Sequence, residues 1–296
     1  MQRLGPQLLL SATDLVNFHE CGHLTALDLR ALDDKALKAQ KTKPNEHTEL
    51  LFMRGNEFEA AYLAELKRQA ESTGGTVVEI EKTPGNPAKS AAATLEALHS
   101  GADLIYQATF LDGDLVGHAD FLRKVPRPSA LGDYSYEVID TKLGRTPKAS
   151  YVLQLAFYGD LLARVQQLDP HSMHVVLGTR EQVTFTCNEY SRYFRRLLGR
   201  FTQTIASASS EITTRPTPCA KCPQCHSRCC CSGRCRRMRV SKNRLNVAIS
   251  RARCLSIVIA NPKLLDVWCK MPGEIALVNT LCWAGETNSA SKGRVV

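Results

Sequence analysis

The chain has 296 residues and a formal net charge of +9, and 44% of its residues are hydrophobic while 23% are charged. These proportions are ordinary for a soluble globular protein with one large or two small domains. No apolar run approaches the roughly 18 residues that a transmembrane helix needs, which excludes a protein with membrane-spanning helices. The apolar patch near the start is too short for a signal-peptide core, so we expect a cytoplasmic protein.

The patterning changes along the chain from helical to strand-like and back. Ser11 is a candidate N-cap for the first helix, and Gly74-Gly75 ends the second. Three later segments carry the period and turn residues of strands. In chain order the predicted elements are helices over 12–29 and 45–69, a strand over 76–80, a helix over 88–99, strands over 104–110, 115–123 and 134–143, a helix over 149–167, strands over 173–177 and 182–187, and a helix over 190–206.

This order predicts one α/β domain over residues 1–210, with a mixed central sheet flanked by helices. The composition then shifts. Residues 211–239 form a cysteine-rich basic segment, and residues 240–284 contain a helix and a strand of their own. The tail over 285–296 is small and polar, and we expect it to be disordered.

Two carboxylates and a lysine stand on neighbouring predicted strands. Asp120 is in the second strand of the meander, and Asp140 and Lys142 are in the third. Adjacent strands lie about 4.8 Å apart, so the two carboxylates can share a hard divalent cation. Alternation puts Lys142 on the face of Asp140, where it can orient an attacking water and stabilise developing negative charge. The alternative interpretation is an exposed ion pair on a sheet.

Three stretches resemble the PD-(D/E)XK nuclease core, specifically its RecB-like branch: Gly117-His118-Ala119-Asp120-Phe121, Tyr136-Glu137-Val138-Ile139-Asp140-Thr141-Lys142-Leu143, and the Gln-x-x-x-Tyr motif Gln154-Leu155-Ala156-Phe157-Tyr158. The resemblance implies a restriction-endonuclease-like fold and metal-dependent cleavage of DNA, as single strands or duplex ends. It implies these roles: Asp120, Asp140 and the carbonyl of Thr141 as ligands of Mg²⁺ or Mn²⁺, Lys142 as the catalytic lysine, and Gln154 and Tyr158 as DNA-binding residues.

The first motif of that branch, Gly-x-x-His-Glu, is altered here. The matching stretch is Gly55-Asn56-Glu57-Phe58-Glu59, in which Phe58 stands at the position of the metal-binding histidine. Phenylalanine cannot bind a metal, so either Glu59 or Glu57 compensates as a catalytic carboxylate or the activity is weakened. The alternative function is therefore a DNA-binding module with little or no catalysis.

Seven of the twelve cysteines lie between Cys219 and Cys235, which favours metal ligation over disulfides in a reducing compartment. RecB-like nucleases often carry an iron–sulfur cluster held by one cysteine in the first helix and three after the last. The resemblance therefore implies a 4Fe–4S cluster on Cys21, Cys219, Cys222 and either Cys229 or Cys225. Thiolates also suit Zn²⁺, so a zinc site within the segment is one alternative, and cysteines without a bound metal are the other.

From Arg215 to Arg253 the chain has eleven lysines or arginines and no acidic residue. Such a charge run favours a polyanionic partner, of which DNA is a common one. A solvated basic linker is the alternative interpretation.

The stretch Arg244-Leu245-Asn246-Val247-Ala248-Ile249-Ser250-Arg251-Ala252-Arg253 resembles motif VI of superfamily 1 helicases. The resemblance implies that residues 240–284 are a fragment of a RecA-like helicase lobe, with Arg251 and Arg253 as its motif VI remnant. The Gly-x-x-x-x-Gly-Lys-Ser/Thr phosphate loop does not occur in the chain, so we expect neither productive ATP binding nor ATPase activity. The chain resembles a nuclease–helicase without its middle, to which a helicase core could be supplied in trans. A third interpretation is that the chain is a fragment of an ATP-dependent helicase.

Overall fold

The computed structural model describes residues 1–208, together with Thr214, Cys219, Lys221 and Cys225. Strands and helices alternate along this part of the chain. In order they are β1 (Gln2–Leu4), β2 (Gln7–Ser11), α1 (Ala12–Glu20), α2 (Gly22–Arg30), α3 (Lys35–Ala39), α4 (Glu46–Thr73), β3 (Val77–Glu79), α5 (Pro87–His99), β4 (Leu104–Asp112), β5 (Leu115–Val125), β6 (Ser135–Lys142), α6 (Ala149–Gln166), β7 (Ser172–Leu177), β8 (Gln182–Thr186) and α7 (Cys187–Ala206).

The described strands form one mixed sheet in the order β1-β2-β5-β6-β7-β8, with β4 also paired to β5 and β3 paired to β4. Strands β4, β5 and β6 are an antiparallel meander. Strand β7 then pairs with β6 in parallel, after the crossover helix α6. A parallel pair needs such a crossover, whereas antiparallel neighbours need only a turn. The predicted α/β class with a mixed central sheet is confirmed.

Strand β5 changes partner along one of its edges. Strand β4 pairs with β5 from Leu115 to Arg123, so β2 and β6 share the opposite edge. There β6 pairs with β5 only as far as Phe121, and β2 pairs with it at Leu115 and Val116. Residues 117–120 of β5 lie between these two ladders, at the place where β5 and β6 separate.

Helix α4 packs one side on the sheet through a small apolar cluster. Leu63 is its one buried residue, and Tyr62 and Leu66 pack beside it. The strands supply the rest of the cluster: Leu104, Phe121, Ile139 and Val176. Asn45 caps the helix at its start and Gly74 ends it with a φ of 70°, a left-handed conformation that glycine adopts without steric cost. The long helix is thereby fixed over the point where β5 and β6 separate.

The first predicted helix was wrong in its extent. Ser11 caps it as expected, with a capping box to Asp14, but the chain is extended at Cys21, with φ −156° and ψ 96°. Two helices result, because the Cys21 thiol accepts a hydrogen bond from Leu24 N at 3.4 Å and so caps α2. Periodicity continues across such a break and does not reveal it.

Three short elements were not predicted from the sequence: β1, β2 and α3. Strands β1 and β2 form a hairpin around Gly5, which has a φ of 59°. Strand β2 is an apolar run whose Leu9 and Leu10 are buried, so it lacks the alternation that predicts a half-buried strand. The other predicted elements are confirmed within a few residues of their bounds.

The predicted segments over 240–284 and 285–296, and most of 211–239, lie outside the described residues. Within the described ranges, none of the helices combines the length and the apolarity that crossing a membrane requires.

Helix α6 approaches β5 closely at Gly117. A Cβ at Gly117 would stand 2.7 Å from Cδ1 of Leu161 and 3.2 Å from Cδ1 of Tyr158, both on α6. Both of those side chains are buried, so they have little room to move. The lack of a side chain at Gly117 therefore permits the close approach of α6 to β5.

We predict that Gly117→Ala lowers the free energy of unfolding by about 1–3 kcal/mol, because the added methyl overpacks this interface. The matched control is Gly159→Ala on α6 itself, where a Cβ meets nothing within 4 Å. That change should raise stability by about 0.5–1 kcal/mol through helix propensity. Denaturant unfolding of the two variants measures both effects, and equal stability of Gly117→Ala and the parent would contradict the close approach.

Candidate active site

The structure brings Asp120 and Asp140 together where β5 and β6 separate. Phe121 and Ile139 are the last paired residues of the two strands on that side, and Asp120 and Asp140 are the next residue on each strand. Lys142 follows at the end of β6. The three residues singled out from the sequence therefore lie around one point in the fold.

The carboxylate of Asp120 spans the gap between the strands. Its Oδ2 accepts hydrogen bonds from the backbone nitrogen of Thr141 at 2.9 Å and from Thr141 Oγ1 at 3.0 Å. A side chain thus replaces the carbonyl that a paired strand would offer to this N–H group. Asp120 is partly exposed.

Asp140 is fully buried, with 0% of its surface exposed. Its Oδ2 forms an ion pair with Lys142 Nζ. Its Oδ1 has no hydrogen-bond partner among the described residues. A buried carboxylate oxygen without a donor is costly, and a cation is the group that best offsets this cost.

The electrostatics of the site follow from two acids facing one base. Burial raises the pKa of Asp140 to about 8, and the charge of Asp120 adds to this effect while Lys142 opposes it. Burial alone would lower the pKa of Lys142, but the charges of Asp140 and Asp120 outweigh it, and the pKa of Lys142 lies above its ordinary value. The site holds more negative than positive charge when both acids are ionised, which suits a divalent cation.

Helix α6 covers this site with a stripe of polar and aromatic side chains. Tyr158 is buried, and its hydroxyl accepts a hydrogen bond from Gln154 Nε2 at 2.9 Å. Burial raises the pKa of Tyr158, and so do the charges of Asp140 and Asp120. Tyr151 lies one turn before Gln154 on α6. The centroid of its ring is 5.9 Å from Lys142 Nζ, a cation–π distance. The hydrogen bond shows that Gln154 and Tyr158 lie on the same face of α6.

Helix α4 presents Phe58 and Glu59 to different surroundings. The ring of Phe58 packs against the apolar cluster of the sheet, with the Arg180 guanidinium 4.9 Å from its centroid. Glu59 is half-buried and accepts a hydrogen bond from Gln107 Nε2. Burial raises the pKa of Glu59, and the charge of Asp120 adds to this, so the two acids are within electrostatic reach.

Two residues of the site have no signal in the sequence. Gln107 contacts Glu59 although it stands in an ordinary strand pattern, and it has a φ of 58° that only the structure reveals. Tyr151 lies against Lys142 because α6 crosses the sheet there. A helical pattern predicts which residues share a face, and it does not say what that face meets.

Three of the four described cysteines, Cys21, Cys219 and Cys225, also come together, and Cys187 lies apart from them. A hydrogen bond with Cys219 lowers the pKa of Cys21 to about 6. Cys225 is buried in an apolar cluster with Leu24 and Leu27, and Cys21 packs against the same cluster. Cys222 and Cys229 lie outside the described residues, as do Arg251 and Arg253. Within the described part, no group of three or more His, Cys, Asp or Glu side chains is placed to hold a metal ion.

One comparison with known proteins gives a match. The model of the PD-(D/E)XK nuclease superfamily matches residues 11–232, which include Asp120, Asp140 and Lys142. A search of the curated proteins gave no match.

We predict that Asp140→Asn stabilises the metal-free protein by about 1–3 kcal/mol at neutral pH, because the folded parent must keep a proton on the buried Asp140 carboxyl that the unfolded chain releases. The folded-state pKa of Asp140 is raised, so the metal-free parent should lose stability as pH rises from about 4 to about 8, and the variant should not. Thermal unfolding in the presence of a chelator measures this. The control is Asp133→Asn, a change of an exposed aspartate in the loop before β6. Equal effects of both changes on stability would show that the burial of Asp140 is not the cause.

Proposed function

The chain belongs to the PD-(D/E)XK nuclease superfamily, and we propose that it is a Mg²⁺- or Mn²⁺-dependent deoxyribonuclease of the RecB-like branch. The observation that carries the proposal is the meeting of Asp120, Asp140 and Lys142 where β5 and β6 separate. A superfamily match suggests a metal-dependent nuclease, and the RecB-like assignment rests on the resemblance of the sequence motifs.

In this proposal Asp120, Asp140 and the carbonyl of Thr141 hold the cation. The N–H group of Thr141 points into the gap, since it donates to Asp120. In a strand the N–H and C=O groups of one residue point to the same edge, so the carbonyl of Thr141 faces the gap as well. The oxygen-only set suits Mg²⁺ or Mn²⁺. Such a cation, when bound, would supply charge neutralisation at the scissile phosphate.

Lys142 is the proposed catalytic lysine. Its ammonium group is held by Asp140 and stays protonated, because the two carboxylates raise its pKa. A protonated amine beside the phosphate orients the attacking water and stabilises negative charge on the phosphate oxygens. Lys142 is thus proposed to hold its proton through the reaction rather than to act as the base.

The surface around the gap is proposed to receive DNA. Gln154 on α6 is partly exposed and is fixed by Tyr158, which is itself buried and therefore positions Gln154. The exposed side chains of Lys82 and Arg180 lie close enough to Glu59 and Phe58, respectively, to interact with them. Positive side chains at the edge of the gap would contact phosphates without reading sequence.

A second candidate function is a DNA-binding module without catalysis. The packing of Phe58 favours it, because an apolar ring stands where the resemblance expects a metal-binding histidine. Cleavage assays separate the two candidates, since binding without cleavage by the parent would support this one.

We predict that Lys142→Met and Asp140→Ala each reduce cleavage of labelled DNA in Mg²⁺ or Mn²⁺ by about 100-fold or more, while binding to the same DNA is retained. The control is Lys89→Met, an exposed lysine on α5, which should cleave at the parental rate. Single-stranded and duplex substrates run in parallel show which form is preferred. Parental rates in both active-site variants would contradict the proposed roles.

The cysteines are proposed to hold a 4Fe–4S cluster, with Zn²⁺ as the alternative. Cys21 interacts with Cys219, and Cys225 packs against the same apolar cluster as Cys21, which supports Cys225 as a further ligand, with Cys229 as the alternative. Such a site would join α1 and α2 to the segment that follows α7.

We predict that Cys21→Ala abolishes metal binding and lowers the free energy of unfolding by roughly 2–3 kcal/mol. A metal that fills a tight site stabilises the folded protein by about this amount. Cys187→Ala is the matched control, since Cys187 is a half-buried thiol whose pKa burial raises to about 12. Metal analysis with visible absorption spectra distinguishes the alternatives: stoichiometric iron supports the cluster, and zinc without iron rules it out.

The origin of the chain is proposed to be a nuclease–helicase. This rests on the resemblance of residues 244–253 to helicase motif VI, a stretch outside the described residues. A helicase core acting in trans would then be a partner, and ATP would be bound by that core.

A further inference from the structure

Gln107 has a left-handed backbone in the interior of strand β4, with φ 58°. Two other described residues besides glycine have a positive φ. Gln167 ends α6, and Arg180 lies in the turn between β7 and β8. Such positions at element ends adopt this conformation readily, whereas a strand interior disfavours it. A strained residue of this kind persists only where its surroundings fix it, and active sites are common places for it.

The position of Gln107 is across from Asp120. On β4 and β5 the flanking pairs are Tyr106 with Phe121 and Ala108 with Ala119, and Gln107 and Asp120 occupy the step between them. The strained residue therefore lies beside a proposed cation ligand, at the level where β5 also parts from β6.

The side chain of Gln107 reaches across to helix α4. Its Nε2 donates a hydrogen bond to Oε1 of Glu59. Glu59 is half-buried and its charge is repelled by that of Asp120, so the hydrogen bonds from Gln107 and from the Tyr106 hydroxyl keep it from turning to solvent. A neutral amide holds the carboxylate in place and leaves its negative charge intact. A lysine or arginine at this position would neutralise the charge and compete with a cation.

We propose that Gln107 is a positioning residue, whose left-handed backbone aims its amide at Glu59 and keeps that carboxylate turned towards Asp120 and the cation site. The inference rests on the proposed function and assigns a source of cation affinity within it. No three acidic side chains among the described residues lie close enough to hold one ion directly. Glu59 therefore acts from the edge of the site, as an acceptor and a negative charge beside the ligands, and such outer partners change metal affinity by about 10- to 100-fold.

Two substitutions separate this role from a structural one. Gln107→Gly removes the amide and accepts a positive φ without strain. Gln107→Asn keeps an amide and tolerates the left-handed backbone, but is one methylene too short to make the same hydrogen bond. We expect both variants to bind Mn²⁺ about 10-fold more weakly in calorimetric titrations. Without metal, both should unfold at the parental temperature or, for Gln107→Gly, above it.

A double-mutant cycle with Glu59→Gln completes the test. If Gln107 acts through Glu59, the pair Gln107→Gly with Glu59→Gln binds Mn²⁺ no more weakly than Glu59→Gln alone. Additive losses of affinity would overturn the inference, even where Gln107→Gly lowers stability. Parental affinity in Gln107→Gly, together with weakened binding in Asp140→Asn, would overturn the role of Gln107 and leave the proposed function standing. Failure of the parent to bind Mn²⁺ would overturn both.

Discussion

The burial of Asp140 beside Asp120 is the constraint on which the rest of the site depends. Two carboxylates so placed repel each other and lose hydration, and burial raises the pKa of Asp140 to about 8. Lys142 offsets part of this cost, and the orphaned Oδ1 of Asp140 shows that the offset is incomplete among the described residues. A bound cation would offset the remaining cost. The geometry therefore favours a site for metal-assisted hydrolysis over a structural ion pair.

A polar network lies two ladder steps before the last pair of β5 and β6, Phe121 with Ile139. Glu137 on β6 accepts from Ser172 N at 3.0 Å and contacts His174 Nε2 at 2.9 Å, and Arg123 on β5 lies 3.8 Å from the same carboxylate. These contacts tie β5, β6 and β7 together where they are still paired. Beyond Ile139 the strands part at Asp120 and Asp140, and the carboxylate of Asp120 there accepts a hydrogen bond from the N–H group of Thr141.

The sequence predicts the elements that depend on a local pattern of residues. It does not predict the features that contacts between distant residues determine. Alternation and turn residues predict β4, β5 and β6, and hence the meeting of Asp120 with Asp140 and Lys142. The break at Cys21 depends on a thiol that caps a helix, and strand β2 depends on pairing with a strand more than a hundred residues later. Gln107 bonds to Glu59 on another element, so its neighbours in the sequence do not indicate this contact.

Packed helices connect Cys21 to the active site. Helix α1, which ends at Glu20 just before Cys21, packs against both α6 and α7. The ring of Phe18 on α1 lies 5.3 Å from that of Phe201 on α7, and Phe157 on α6 lies 6.4 Å from Phe194 on α7. Helix α6 in turn supplies Gln154 and Tyr158 above the carboxylates. A metal that fixes Cys21 to the segment after α7 would therefore stiffen the support of α6, so loss of that metal should loosen the cover of the active site before the sheet itself unfolds.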